Sequence, residues 1–128
     1  MTAALKILRR VSTDDNRRRI PAVFPAMTVL VTGNLGYIGS VLTPMLSQRG
    51  YQVRGFDNGF FRDCLLVPVV EPPEQIVKDI RDIEREDLVG VAEIVHLAGL
   101  SNDPLGELDE SLTEAINYDG SMRLGELA

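Results

Sequence analysis

The chain has no tryptophan, one cysteine, one histidine and two lysines in 128 residues. Cys64 alone excludes an internal disulfide, and a reducing cytoplasm is the expected home of such a chain. With a single histidine, His96, and no ligands clustered at metal spacing, no metal site is expected. His96 lies inside an apolar strand pattern, where a hydrogen-bonded core histidine is the plain reading and a catalytic one is not. The net charge is −6, and an acidic body argues against nucleic acid as a partner. A membrane span is not expected either. The charge-free stretch from Ile20 to Gln48 is interrupted by Pro21, Pro25, Pro44, Gly33, Gly36 and Gly39. It reads as a strand, a turn and a helix of a buried fold.

The charge is unevenly spread. Residues 1–26 hold six basic and two acidic groups, giving +4, while the remaining chain carries −10. The first segment has no apolar core of secretory-signal length. Its arginines loosely resemble an organelle transit peptide, which Asp14 and Asp15 weaken. An unstructured extension and a start assigned too far upstream are the two bland readings. Met27 stands where a compact domain would begin, so the expected division is an extension over 1–26 and one domain over 27–128. A chain of this length is one small domain or part of a larger one.

What is present is concentrated after Met27. Val29, Leu30 and Val31 form an apolar run without a polar break, the pattern of a strand buried on both faces. Gly33, Gly36 and Gly39 follow at once, and a helical pattern opens from Tyr37. Strand, glycine turn and helix in that order give a dinucleotide-binding fingerprint its meaning. Gly33 permits the tight turn, Gly36 lets the backbone approach a pyrophosphate, and Gly39 lets the helix pack on the strand. The helix N-terminus offers free N–H groups to the phosphates. Gln52 to Asp57 reads as the second strand. Asp57 stands at its end, about twenty residues beyond the glycines, where a carboxylate accepts from the adenosine ribose hydroxyls and repels a 2′-phosphate. NAD is then favoured over NADP. The competing reading is that Asp57 only starts a turn with Asn58 and Gly59.

Further along, Asn58 to Pro73 is irregular. Gln75 to Ile80 reads as a third strand, Arg81 to Leu88 as a short polar helix, and Glu93 to Gly99 as a fourth strand. From Asp109 or Ser111 onward, Leu112, Ala115, Ile116, Leu124 and Leu127 mark one apolar helix face. Strands alternating with crossovers predict an α/β fold, a Rossmann-like parallel sheet with helices on both faces. Right-handed crossovers give it the strand order 3-2-1-4.

Four segments now form a pattern: Thr32 to Gly39, Asp57-Asn58, Asp79-Ile80-Arg81-Asp82, and His96-Leu97-Ala98-Gly99. Their order is that of extended short-chain dehydrogenases/reductases, and residues 27–128 resemble the N-terminal part of the NAD-dependent epimerases/dehydratases of nucleotide sugars. The resemblance implies NAD as cofactor and a nucleotide sugar as substrate of the full-length family. It implies that Gly33, Asn34, Leu35, Gly36, Tyr37 and Ile38 hold the pyrophosphate, and that Asp57, followed by Asn58, meets the ribose. Asp79 and Ile80 match the pair that meets adenine, the carboxylate accepting from its exocyclic amine. Leu97, Ala98 and Gly99 match the segment beneath the nicotinamide-side ribose, although small residues after a strand also make a plain turn. Asn117 matches a helix asparagine that supports the active site; a solvated polar residue is the competing reading. Ser101, Asn102 and Asp103 lie where a substrate would be reached.

One family element is missing. The resemblance implies proton transfer by a Tyr with a Lys four residues later, the lysine lowering the tyrosine pKa. Tyr37, Tyr51 and Tyr118 are followed at that position by Val41, Gly55 and Met122. No catalytic residue is therefore assigned. Three readings remain: the NAD-binding part of such an enzyme, truncated before its catalytic pair; a non-enzymatic module binding NAD, a nucleotide or a partner; and a subunit completed by another chain. A fourth strand without a neighbour would also favour self-association.

Overall fold

The computed structural model describes residues 27–62, 74–100 and 109–128. Strands β1 (Thr28–Thr32), β2 (Gln52–Asp57), β3 (Glu74–Val77) and β4 (Val91–His96) form one parallel sheet. Its order is β3-β2-β1-β4, as the crossover argument predicts. Helix α1 (Gly39–Gln48) follows the glycine turn. Helices α2 (Glu110–Glu114) and α3 (Gly120–Leu127) are joined without a break by a π-helical segment, Ala115–Asp119.

The middle of β1, Val29 to Val31, is apolar without a break because both of its faces are covered. Leu30 packs on one side with Phe56, Ile80, Ile83 and Leu124, all buried. Val29 and Val31 pack on the other with Val53, and Leu46 of α1 leans on them. Each such side chain taken out of water contributes about 1.5–3 kcal/mol. α3 reaches the Leu30 face through a glycine: a Cβ on Gly120 would lie 2.9 Å from Cγ2 of Ile80.

The second strand falls where the sequence places it, but three boundaries move. β3 ends at Val77, so Asp79 and Ile80 are not strand residues. The Asp79 carboxylate accepts from the Arg81 backbone N–H at 2.9 Å, and this cap turns the chain into a 3₁₀ turn, Ile80–Asp82. The polar segment after it is not one helix. Burial of Ile83 takes the chain back to extended geometry, and a second 3₁₀ turn, Arg85–Leu88, starts from a capping box between Glu84 and Asp87. β4 stops at His96, leaving Leu97, Ala98 and Gly99 as a loop. On the last helix Leu112 is exposed, so the apolar face is carried by Ile116, Leu124 and Leu127.

Candidate functional site

In a parallel sheet every strand ends on the same side, and ligands of such folds bind beyond those carboxyl ends where the strand order reverses. Here that point lies between β1 and β4. The end of β2 and the loops after β1, β3 and β4 carry Asp57, the glycine turn, Asp79 and Leu97 to Gly99, so one edge collects these residues.

The three glycines do different work. Gly33 has a φ of +69°, and a Cβ on it would lie 2.7 Å from the Ala98 nitrogen. The turn after β1 thus rests on the backbone of the segment after β4. A Cβ on Gly39 would run into the Gly33 carbonyl and the Asn34 backbone, so α1 starts directly against the turn. Gly36 differs: among the described residues a Cβ on it would meet only the Gly33 carbonyl, at 3.3 Å. Nothing else among the described residues borders the space above Gly36. Next to it, the N–H groups of Tyr37 and Ile38 have no acceptor among the described residues. Both side chains are exposed, so a phosphate would meet only the backbone here.

Asn34 is not a loop residue in the ordinary sense. It is 2% exposed, and its amide exchanges two hydrogen bonds with Gln75 of β3, at 2.7 and 3.2 Å. Gly55 makes room for this pair: a Cβ there would collide with the Gln75 Oε1. A glycine inside a strand signals such an approach, whereas nothing in the sequence marks Gln75.

Asp57 serves the loop and the turn together. Its Oδ2 accepts from the Leu35 N–H at 3.1 Å and its Oδ1 from the Gly59 N–H at 2.8 Å. The turn reading is therefore correct, and it does not compete with ligand binding, because each carboxylate oxygen keeps a second lone pair. Asn58 accepts from the Phe60 N–H at 3.0 Å and extends the same turn. Arg54 points away from this edge. Its guanidinium donates to the carbonyls of Asp87 and Val89.

Asp79 is gripped by the side chain of Arg81 as well as its backbone, and this ion pair holds its carboxyl below the ordinary carboxylate value. Ile80 turns its side chain into the core. Leu97 and Ala98 lean on the two different core clusters, so their backbone alone faces the edge.

That backbone is held by a relay the sequence did not reveal. The Thr32 hydroxyl accepts from the Leu97 and Ala98 N–H groups at 3.1 and 3.2 Å. It lies 2.6 Å from Nδ1 of His96, whose Nε2 lies 2.9 Å from the Ser121 hydroxyl. Ser121 in turn donates to the Asn117 carbonyl at 2.6 Å. The Asn117 amide brackets Leu100, accepting from its N–H at 2.7 Å and donating to its carbonyl at 2.9 Å. Asn117 thus pins the loop after β4, a role closer to support than to solvation, and the π-helical segment is where it does so. His96 is half-buried with a hydrogen-bond partner at each ring nitrogen, as the plain reading has it, and burial lowers its pKa. Ser101, Asn102 and Asp103 lie outside the described residues.

No group of His, Cys, Asp and Glu among the described residues could hold a metal, and no helix among them is long and apolar enough to cross a membrane. Comparison with known proteins agrees with the geometry. A UDP-glucose 4-epimerase of Klebsiella pneumoniae is 32% identical over 112 residues, covering 76% of this chain and 81% of that protein. The UDP-N-acetylglucosamine 4-epimerase of Methanobrevibacter ruminantium M1, solved with UDP-N-acetylmuramic acid, superposes with a TM-score of 0.69 at 27% identity. The match covers 81% of this chain and 34% of that one. The Thermus thermophilus UDP-glucose 4-epimerase in complex with NAD gives 0.65 at 29% identity, covering 79% and 33%. The chain thus spans about a third of the length of these solved structures. The NAD dependent epimerase/dehydratase family matches residues 29–128, and the chain belongs to that family.

Proposed function

We propose that this chain is the NAD-binding part of an epimerase- or dehydratase-like oxidoreductase acting on a nucleotide sugar. The observation that carries the reading is Gly36, open above and flanked by the N–H groups of Tyr37 and Ile38, which are unpaired among the described residues. These groups would hold the pyrophosphate against the N-terminus of α1. Asp57 would take the adenosine ribose with the lone pairs that Leu35 and Gly59 leave free. Asp79 would accept from the adenine amine. Leu97, Ala98 and Gly99 would pass beneath the nicotinamide-side ribose on the support of Thr32 and Asn117. NAD held there would supply the hydride acceptor and donor for the sugar. The accompanying proton transfer would need the Tyr with a Lys four residues later that the family resemblance implies, and no tyrosine here is followed by one, so the chain alone is expected to turn over no nucleotide sugar.

Titration calorimetry tests the cofactor. NAD should bind more tightly than NADP, whose 2′-phosphate would face Asp57. Asp57→Ala should weaken NAD by about 1–3 kcal/mol, the scale of hydrogen bonds to a charged group. Equal or tighter binding of NADP by the unmutated chain would overturn this assignment.

Copies of the chain are also expected to associate. Among the described residues β4 has β1 on one side and no strand on the other, and Glu93 is its only charged residue. An apolar edge with free backbone groups pairs readily with another strand.

A further inference from the structure

The Asp79 carboxylate is held by three N–H groups of a single residue. Arg81 donates to Oδ1 from its backbone nitrogen and from Nε, each at 2.9 Å, and to Oδ2 from Nη2, also at 2.9 Å. An ionised carboxylate offers about four acceptor positions. Oδ1 is therefore filled, and Oδ2 keeps one lone pair. The side chain of Asp79 is 22% exposed and that of Arg81 42%.

The backbone N–H alone caps the turn, so the guanidinium fork is not required by the fold. Its two residues are two apart in one turn, so it ties no distant elements together, and ion pairs this exposed contribute little to stability. Its effect on Asp79 is large by contrast. A planar guanidinium bound through two nitrogens fixes the carboxylate plane as well as its charge. The one acceptor left open thus has a set direction.

We propose that Arg81 determines which purine the site accepts, by presenting Asp79 as a fixed anion with a single open acceptor. The proposal rests on the reading of Asp79 as the partner of the adenine amine. A 6-aminopurine donates a hydrogen bond to that acceptor. A 6-oxopurine places a carbonyl oxygen there instead, and lone pairs face one another. Without the Arg81 side chain only the backbone N–H still holds Oδ1, so the carboxylate can rotate about that bond, and its open acceptor no longer has a set direction and can turn away from an oxo group. Selectivity between the bases then falls.

The test compares NAD with nicotinamide hypoxanthine dinucleotide, by calorimetry, on the full chain and on Arg81→Ala and Arg81→Lys. The unmutated chain should prefer NAD by about tenfold or more, the scale of a hydrogen bond to a charged group. In Arg81→Ala the preference should fall below about threefold. Arg81→Lys keeps the charge without the fork and should fall between. Asp79→Asn, whose amide presents either a donor or an acceptor, should bind both dinucleotides within about threefold. An undiminished preference in the folded Arg81 variants overturns the proposal, as does an equal loss of both dinucleotides, which would mark a structural role only. Should Arg81→Ala not fold, the preference of Arg81→Lys decides. A chain that binds neither dinucleotide refutes the cofactor assignment itself and this inference with it, an outcome distinct from the other two.

Discussion

Thr32 and His96 meet through a hydroxyl and a ring nitrogen 2.6 Å apart, and this contact decides which nitrogen of the ring carries the proton. The Thr32 oxygen already accepts from two backbone N–H groups, so its own hydrogen is donated to Nδ1. Nε2 must then be the protonated nitrogen, donating to Ser121. A second proton on the ring would find Thr32 with no lone pair to offer it.

Stability should therefore fall as the medium is acidified through the histidine range. Burial lowers the pKa of His96 in the folded chain, so the unfolded chain takes up the proton first, near its ordinary value of about 6.5. The loss begins there and continues until the folded-state pKa is passed. Asp79 and Asp109 are shifted down and act only in a lower window, as the pH falls through their own folded values. Urea unfolding at pH 7.5 and 5.5 measures the effect. His96→Asn should remove most of the slope, and a flat profile in the unmutated chain would refute the assignment.

The glycines should separate by role. Gly36→Val should keep the far-ultraviolet circular dichroism of the parent and lose NAD binding, because among the described residues only the Gly33 carbonyl borders that space. Gly39→Ala should instead destabilise the fold, by about 1–3 kcal/mol or more, because its Cβ meets backbone that cannot move aside. Two folded variants with the opposite pattern of binding would reverse these roles.

The amide pair lends itself to a double-mutant cycle. Gln75→Ala leaves a buried Asn34 unsatisfied and should cost about 1–3 kcal/mol. Once Asn34→Ala is present, the same change should cost much less. Additive effects would mean that the two amides do not depend on each other.

Sedimentation equilibrium addresses the edge of β4. A concentration-dependent rise in mass is expected in the micromolar range, and it should be suppressed by Ala92→Lys, since charge blunts a sheet edge. A monomer at all concentrations would show that this edge does not pair.

Local chemistry made much of this molecule legible in its sequence. The run of Val29, Leu30 and Val31 announces a doubly buried strand, and Gln52 to Asp57 is placed to the residue. The errors have physical causes. The apolar pattern of Gln75 to Ile80 looks like one strand, but a side-chain cap at Asp79 ends it early. The segment after it is too polar to form a packed helix face, so burial of Ile83 overrides helix propensity. What stayed hidden was long-range. Asn34 and Gln75 are 41 residues apart, and Thr32 and His96 are 64. No local pattern shows that such polar residues will find each other. For the same reason the sequence leaves Asn117 balanced between support and solvation, and only its bonds to Leu100 decide.

The position of β1 between β2 and β4 bears on how the chain is made. Its final neighbour, β4, is complete only 64 residues after Thr32. At a synthesis rate of about 5–20 residues per second, β1 waits roughly 3 to 13 seconds for that neighbour. Parallel pairing over such distances is also slow, because the loop must close before any contact rewards it. During this interval the β4-facing edge of Val29, Leu30 and Val31 has no partner strand. The segment that later anchors the glycine turn is thus the one most open to chaperones, and to wrong partners, while the nascent chain emerges.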